Sequence, residues 1–201
     1  MGNDIDEVVR GAGRPRDPRI EQALLAAVRD LLTEGGYAAV TVAAVAERAG
    51  TTKAALYRRW PALPHLIHEA AFPDELAQDL VLGNDLASDI VGVVRGTRDT
   101  LCSPIGAAAL PGLLAEVGTW PDLHAAMMRR FSGVFAALEQ RLQKAVADGD
   151  AHSEARADDV LRLAIGAVLA GLLLTPDELD DAWVDRISAT LTRGLRPDPV
   201  G

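Results

Sequence analysis

Apolar positions along this chain recur at intervals of three and four residues, and no stretch alternates polar and apolar as a half-buried strand would. The pattern predicts an all-α fold. In the first periodic segment Ile20, Ala23, Leu24, Ala27, Val28 and Leu31 share one face; Asp17 is placed to cap it, Pro18 takes the first helical position and Gly35-Gly36 stops it. A shorter segment follows, capped by Thr41, with Val42, Val45, Ala46 and Ala49 on one stripe and Gly50 at its end. Thr51 and Thr52 then offer a cap for a third helix from Lys53 to Trp60, closed by Pro61. Two short helices across a Gly-containing turn make a helix-turn-helix.

Beyond Phe72-Pro73 the periodicity predicts further helices at about 74–81, 86–102, 104–118, 121–148, 156–174 and 178–194, about nine in all, with a frayed tail after Leu195. The expected organisation is an arm at 1–16, a helix-turn-helix unit at 17–75 and a larger helical domain at 76–201. The longest apolar run, 164–174, is too short to span a bilayer, so no membrane association is expected. Cys102 is the only cysteine, which excludes a disulfide, and residues 1–9 are acidic rather than apolar, unlike a secretory signal. A cytoplasmic protein is the expectation.

Charge changes the picture once it is partitioned. The chain of 201 residues carries a formal −9, yet Arg10 to His65 holds nine Arg and Lys against five Asp and Glu. The acid excess lies elsewhere. A basic segment within an acidic chain points to an electrostatic partner.

The third segment gives that partner a chemistry. With Leu56 and Trp60 turned to the core, Thr52, Lys53, Ala55, Tyr57, Arg58 and Arg59 are left facing outward. A small, polar helix start fits a DNA major groove about 12 Å wide, where Thr reads base edges or touches a thymine methyl. Arg, Lys and the Tyr hydroxyl at its flanks suit phosphates, and Thr41 brings a second helix start to the backbone. No Ser/His/Asp arrangement, carboxylate pair or phosphate-cradling Gly loop has supporting spacing, so an enzyme is not expected. His65 and His68 lack a third ligand nearby, so neither metal nor cofactor is expected.

The run Ala49-Gly50-Thr51-Thr52-Lys53-Ala54-Ala55-Leu56-Tyr57, closed by Trp60 and preceded by the Thr41 cap, resembles the DNA-binding unit of the TetR family of bacterial transcriptional regulators. The likeness spans residues 18 to about 72 and includes Ala26-Ala27 and Glu34-Gly35 in the first helix. It implies DNA contacts at Thr41, Thr52, Lys53, Ala55, Tyr57, Arg58 and Arg59, a variable C-terminal domain binding a small-molecule effector, and a homodimer built by the last two long helices. Arg14-Pro15-Arg16 resembles the basic arm of some members, making Arg14 and Arg16 further contacts. The chain departs from the family at Pro61-Ala62-Leu63-Pro64-His65, where a Ser cap and a phosphate-gripping Lys are common; His65 is the available substitute.

In the C-terminal part, Trp120, His124, Met127, Met128, Phe131 and Phe135 run along one broad face. They are read either as plain core or as the wall of a ligand cavity, with Arg98 as polar anchor and Pro111 kinking the neighbouring helix. The 156–174 segment is apolar around most of its circumference. Leu163 and the small Gly166, Ala167, Ala170 and Gly171 suit close approach of a second copy. The expected function is a ligand-responsive DNA-binding regulator, a repressor on a pseudo-palindromic operator of double-stranded DNA. The alternative is a helical small-molecule-binding or scaffold protein without DNA binding.

Overall fold

The protein is represented by a computed structural model that describes residues 17–73, 83 and 85–197. These form ten α-helices and no strand: α1 Pro18–Ala39, α2 Val42–Arg48, α3 Lys53–Tyr57, α4 Leu63–Ala71, α5 Leu86–Leu101, α6 Pro104–Glu116, α7 Pro121–Arg130, α8 Ser132–Asp148, α9 Ala157–Leu174 and α10 Asp181–Leu195. The helix expected at 74–81 and the arm with Arg14 and Arg16 lie outside the described residues.

Local chemistry explains the N-terminal elements. The Asp17 carboxylate accepts the Arg19 N–H at 2.9 Å, and Pro18 forfeits no bond in the first turn. Helical geometry lapses at Gly35 and at Gly36, whose φ of 66° lies in the left-handed region that glycine tolerates best. The Thr41 hydroxyl accepts the Ala44 N–H at 3.1 Å and the Thr52 hydroxyl accepts the Ala55 N–H at 3.2 Å, so each short helix has a side-chain cap. Between them Gly50, with φ 61°, turns the chain.

Two apolar cores hold the molecule. The first gathers Leu24, Val28 and Leu32 of α1, Val45 of α2, Leu56 of α3 and Leu66 and Ile67 of α4, and also draws in Leu113 of α6 and Leu123 of α7. The helix-turn-helix unit is therefore completed by helices of the C-terminal part. At one junction the Tyr37 ring lies against Gly112 of α6, so closely that a Cβ there would stand 2.2 Å from the ring. The second core joins Ile90 and Val94 of α5, Leu138 and Leu142 of α8, Val160, Ala164 and Val168 of α9, and Trp183 and Val184 of α10. Within this half Arg141 donates to Asp89 at 2.6 Å, both side chains at least nine-tenths buried, tying α8 to α5.

The single helix expected over 121–148 is two. The backbone leaves helical geometry at Phe131 (φ −90°, ψ 1°), where the Ser132 hydroxyl takes the Arg129 carbonyl. The separation has a tertiary reason: α7 packs toward the first core and α8 toward the second. Helix α6, in contrast, runs on through Pro111, which is exposed. No described helix is long and apolar enough to cross a membrane.

Candidate nucleic-acid interface

Helix α3 is only five residues long, and its orientation is set from within. Leu56 is fully buried and Trp60, just beyond the helix, is 5% exposed, so the side opposite them must face out. Thr52, Lys53, Ala54, Tyr57 and Arg58 are exposed there, Tyr57 at 54%. The hydroxyls of Thr41 and Thr52 accept cap bonds, and each keeps its own O–H to donate. This surface offers two hydroxyl donors, a phenol, an ammonium and a guanidinium beside one methyl. It can hydrogen-bond anionic oxygens at its edges while its small centre approaches a groove floor.

Two expected members of the outward face are turned elsewhere. Ala55 is 2% exposed and belongs to the packed side. Its place is taken by Ala54, which at about 100° per residue falls nearly opposite Leu56, as Arg58 does. The helical wheel carries that signal, and it favours Ala54 over Ala55. Arg59 is the second correction. Its side chain is 7% exposed; the guanidinium donates to the Asp17 carbonyl at 2.9 Å and the Ala55 carbonyl at 3.3 Å, and lies 3.8 Å from the Glu21 carboxylate. It ties the end of α3 to the start of α1 and is not directed at a ligand. On α2, Arg48 pairs with Glu34, and its hydrogen bond holds that carboxyl below the usual carboxylate range.

Helix α4 begins at Ala62, which supplies no side-chain cap, in keeping with the departure from Ser at this point. His65 does not stand in for a surface phosphate anchor. It is 8% exposed, meets the Trp120 ring edge-on at a centroid distance of 6.3 Å, and brings Nε2 within 3.3 Å of Asp122 Oδ2.

The residues proposed for a ligand cavity are not brought together. Trp120 and Met127 pack against the first core, and the Trp120 indole donates to Glu116 at 3.1 Å. Phe135 packs against the second core, Phe131 sits at the break between α7 and α8, and His124 and Met128 are exposed. The stripe is continuous only if 121–148 is one helix. Arg98 is engaged by Asp99 and Asp181, with Asp181 Oδ1 2.9 Å away, and its side chain is 14% exposed. These bonds, first that from Arg98 and then the charge of Arg95, hold the Asp181 carboxyl below its usual range. An open cleft of about 450 Å³ lies instead between α4 and α7, against Trp60, His65, Glu69 and Asp122.

On α9, Leu163, Gly166 and Ala170 form an exposed stripe that continues to Leu173 and Leu174, 82% and 74% exposed. Ala167 is half-buried on the second core. Gly171 faces inward: a Cβ there would stand 2.5 Å from Leu179, so it serves packing within the chain. No group of three or more His, Cys, Asp or Glu among the described residues is arranged to hold a metal ion.

Comparison with known proteins assigns both halves. Residues 24–70 match the family described as bacterial regulatory proteins, tetR family, and residues 83–191 match the tetracyclin repressor-like C-terminal domain. An HTH-type transcriptional regulator of Mycobacterium tuberculosis is 32% identical over 203 residues, covering 94% of this chain and 98% of its own. A second, of Bacillus subtilis, is 28% identical over 92% of this chain and 93% of its own. Among solved structures, the TetR family transcription regulator SCO0332 superposes with a TM-score of 0.66 at 28% identity, over 89% of this chain and all of that one.

Proposed function

The chain belongs to the TetR family of bacterial transcriptional regulators, helix-turn-helix proteins that bind DNA, and from that premise we propose that it acts as a homodimeric, ligand-responsive repressor. Two copies of α3 enter successive major grooves of a pseudo-palindromic operator, about 34–36 Å apart on one face of the duplex. Lys53, Tyr57 and Arg58 hold phosphates, Thr41 adds a backbone contact from the start of α2, and Thr52 with Ala54 approaches base edges. The observation that carries the reading is the exposure of these residues on one face while Leu56 and Trp60 anchor the opposite one.

Dimerisation is assigned to α9 and α10. The exposed stripe from Leu163 to Leu174 is the apolar surface a second copy would cover. Effector control acts through the shared first core, because α6 and α7 pack directly on α1 and α4. A body that shifts these helices moves the helix-turn-helix unit with them, and such coupling is typically worth about 1–3 kcal/mol.

Fluorescence anisotropy with duplex DNA from the region upstream of its own gene tests the proposal. Binding is expected to be selective for one site over scrambled duplex and to weaken steeply with salt. Equal binding to scrambled DNA, or none, overturns it.

A further inference from the structure

Among the exposed residues of 52–58, Ala54 alone carries no polar side-chain atom. It stands between Thr52, Lys53, Tyr57 and Arg58, all exposed, whereas its neighbour Ala55 is 2% exposed and packs inward. Its direction is fixed from beneath, because Leu56, two residues on and nearly opposite it around the helix, is fully buried. A methyl group presented in this way is not indifferent to what it meets. Against a guanine O6, a purine N7 or a cytosine N4 amino group it strips water from a polar atom and returns no hydrogen bond, which costs free energy. Of the groups that distinguish base pairs in the major groove, the thymine C5-methyl alone is covered without that loss.

The side chains around Ala54 give thymine no polar reader. Residues 50–60 contain no Asp, Glu, Asn, Gln or His, so the segment lacks the carboxamide that grips adenine N6 and N7 and the carboxylate that accepts from cytosine N4. What it holds is donors. The Thr52 oxygen accepts the Ala55 N–H at 3.2 Å and keeps its O–H to donate, and Lys53 and Arg58 can only donate. Such donors find acceptors on every base pair, at guanine O6 and N7, adenine N7 and thymine O4. The methyl is therefore what sets a T·A pair apart for this face.

We propose that Ala54 is a specificity-determining residue that selects thymine in each half-site, its methyl packed on the thymine C5-methyl. The assignment rests on the regulator reading above, because it needs α3 in the groove.

The test starts from palindromic duplexes that the full-length protein selects out of a random-sequence pool, remade with deoxyuridine in place of thymidine at matching positions of the two half-sites. That change removes the C5-methyl and keeps every hydrogen-bonding group. At one such pair of positions, affinity in fluorescence anisotropy is expected to fall about fifteenfold, which is one buried methyl, about fourfold, in each half-site. Ala54→Gly is expected to bind the thymidine and deoxyuridine duplexes of that pair alike; the effect of uracil on the duplex itself is common to both proteins and cancels in the cycle. Should Ala54→Gly bind no duplex, the wild-type complex carrying ¹³C at its alanine methyls decides: a cross-peak between the Ala54 methyl and a thymine methyl is expected, and it vanishes with deoxyuridine. A selected half-site without thymine, deoxyuridine tolerated at every position, a missing cross-peak, or a penalty that Ala54→Gly retains in full overturns the proposal, the last by passing the contact to the Thr52 methyl. Each of these leaves selective DNA binding standing, whereas a pool from which no sequence is enriched removes the regulator reading itself.

Discussion

Tyr57, Arg58 and Arg59 are consecutive, polar and similar on paper, yet they do different physical work. Tyr57 and Arg58 are exposed, whereas Arg59 is spent on the Asp17 and Ala55 carbonyls and the Glu21 carboxylate. Arg58→Ala is expected to weaken binding to all duplexes alike and reduce the salt slope by about 1, and Tyr57→Phe to cost about 1 kcal/mol without changing sequence preference. Arg59→Ala should instead lower folding stability by about 1–3 kcal/mol in urea unfolding, with the salt slope of DNA binding unchanged. A slope that drops for Arg59→Ala as it does for Arg58→Ala would return Arg59 to the phosphates. Tyr37 makes a pH prediction. Burial, and then the negative charge of Glu116, push its phenol up to about 12. Unfolded, it ionises near 10, so between those values the unfolded state has already lost the proton that the folded state keeps. Stability therefore falls as pH rises through 10 toward 12. Tyr37→Phe should flatten that alkaline limb, and an unchanged limb in urea unfolding against pH would assign it to other groups.

At the scale of elements, caps and stops were legible because they are local. Asp17, Thr41 and Thr52 each bond an N–H two or three residues on, and Gly36 and Gly50 supply backbone conformations that need no distant partner. The break at Phe131 was not legible. Neither proline nor a left-handed glycine marks it; what separates α7 from α8 is that each packs on a different core. The same limit hid the role of Gly112, an ordinary glycine in sequence that admits the Tyr37 ring. Gly112→Ala is expected to destabilise by about 1–3 kcal/mol through overpacking. Combining it with Tyr37→Ala should recover part of that loss, because the two residues share one contact. Strict additivity in the double-mutant cycle would show that the clash is relieved elsewhere. This junction is also where α1 meets the body, so the Gly112 variants are a means of loosening the DNA-binding unit without touching α3.

The molecule as a whole is two cores that meet at Leu101 of α5, with the basic, exposed face of α3 beside the first and an apolar stripe on α9 beside the second. Gly166 lies on that stripe with open space around its Cβ position, which makes it a cleaner probe than Ala167, already packed on the second core. Gly166→Glu is expected to give a folded monomer in sedimentation velocity, with affinity lost for a full operator and kept for a half-site; a dimer that persists moves the interface elsewhere. What the sequence determined by itself was whatever depends on neighbours a few residues away: the helical periodicity, the three caps, the turn at Gly50 and the Leu56 and Trp60 anchors that turn α3 outward. Those suffice to recognise the family. Tertiary structure alone decided which surface polar groups are free and which are consumed. A carbonyl 42 residues away takes Arg59, an aspartate on another helix takes Arg98, and the packing of α4 on α7 buries His65 and opens the cleft beside it. Periodicity reports which side of a helix is apolar, but a hydrogen bond or a cavity depends on which distant element is brought against that side.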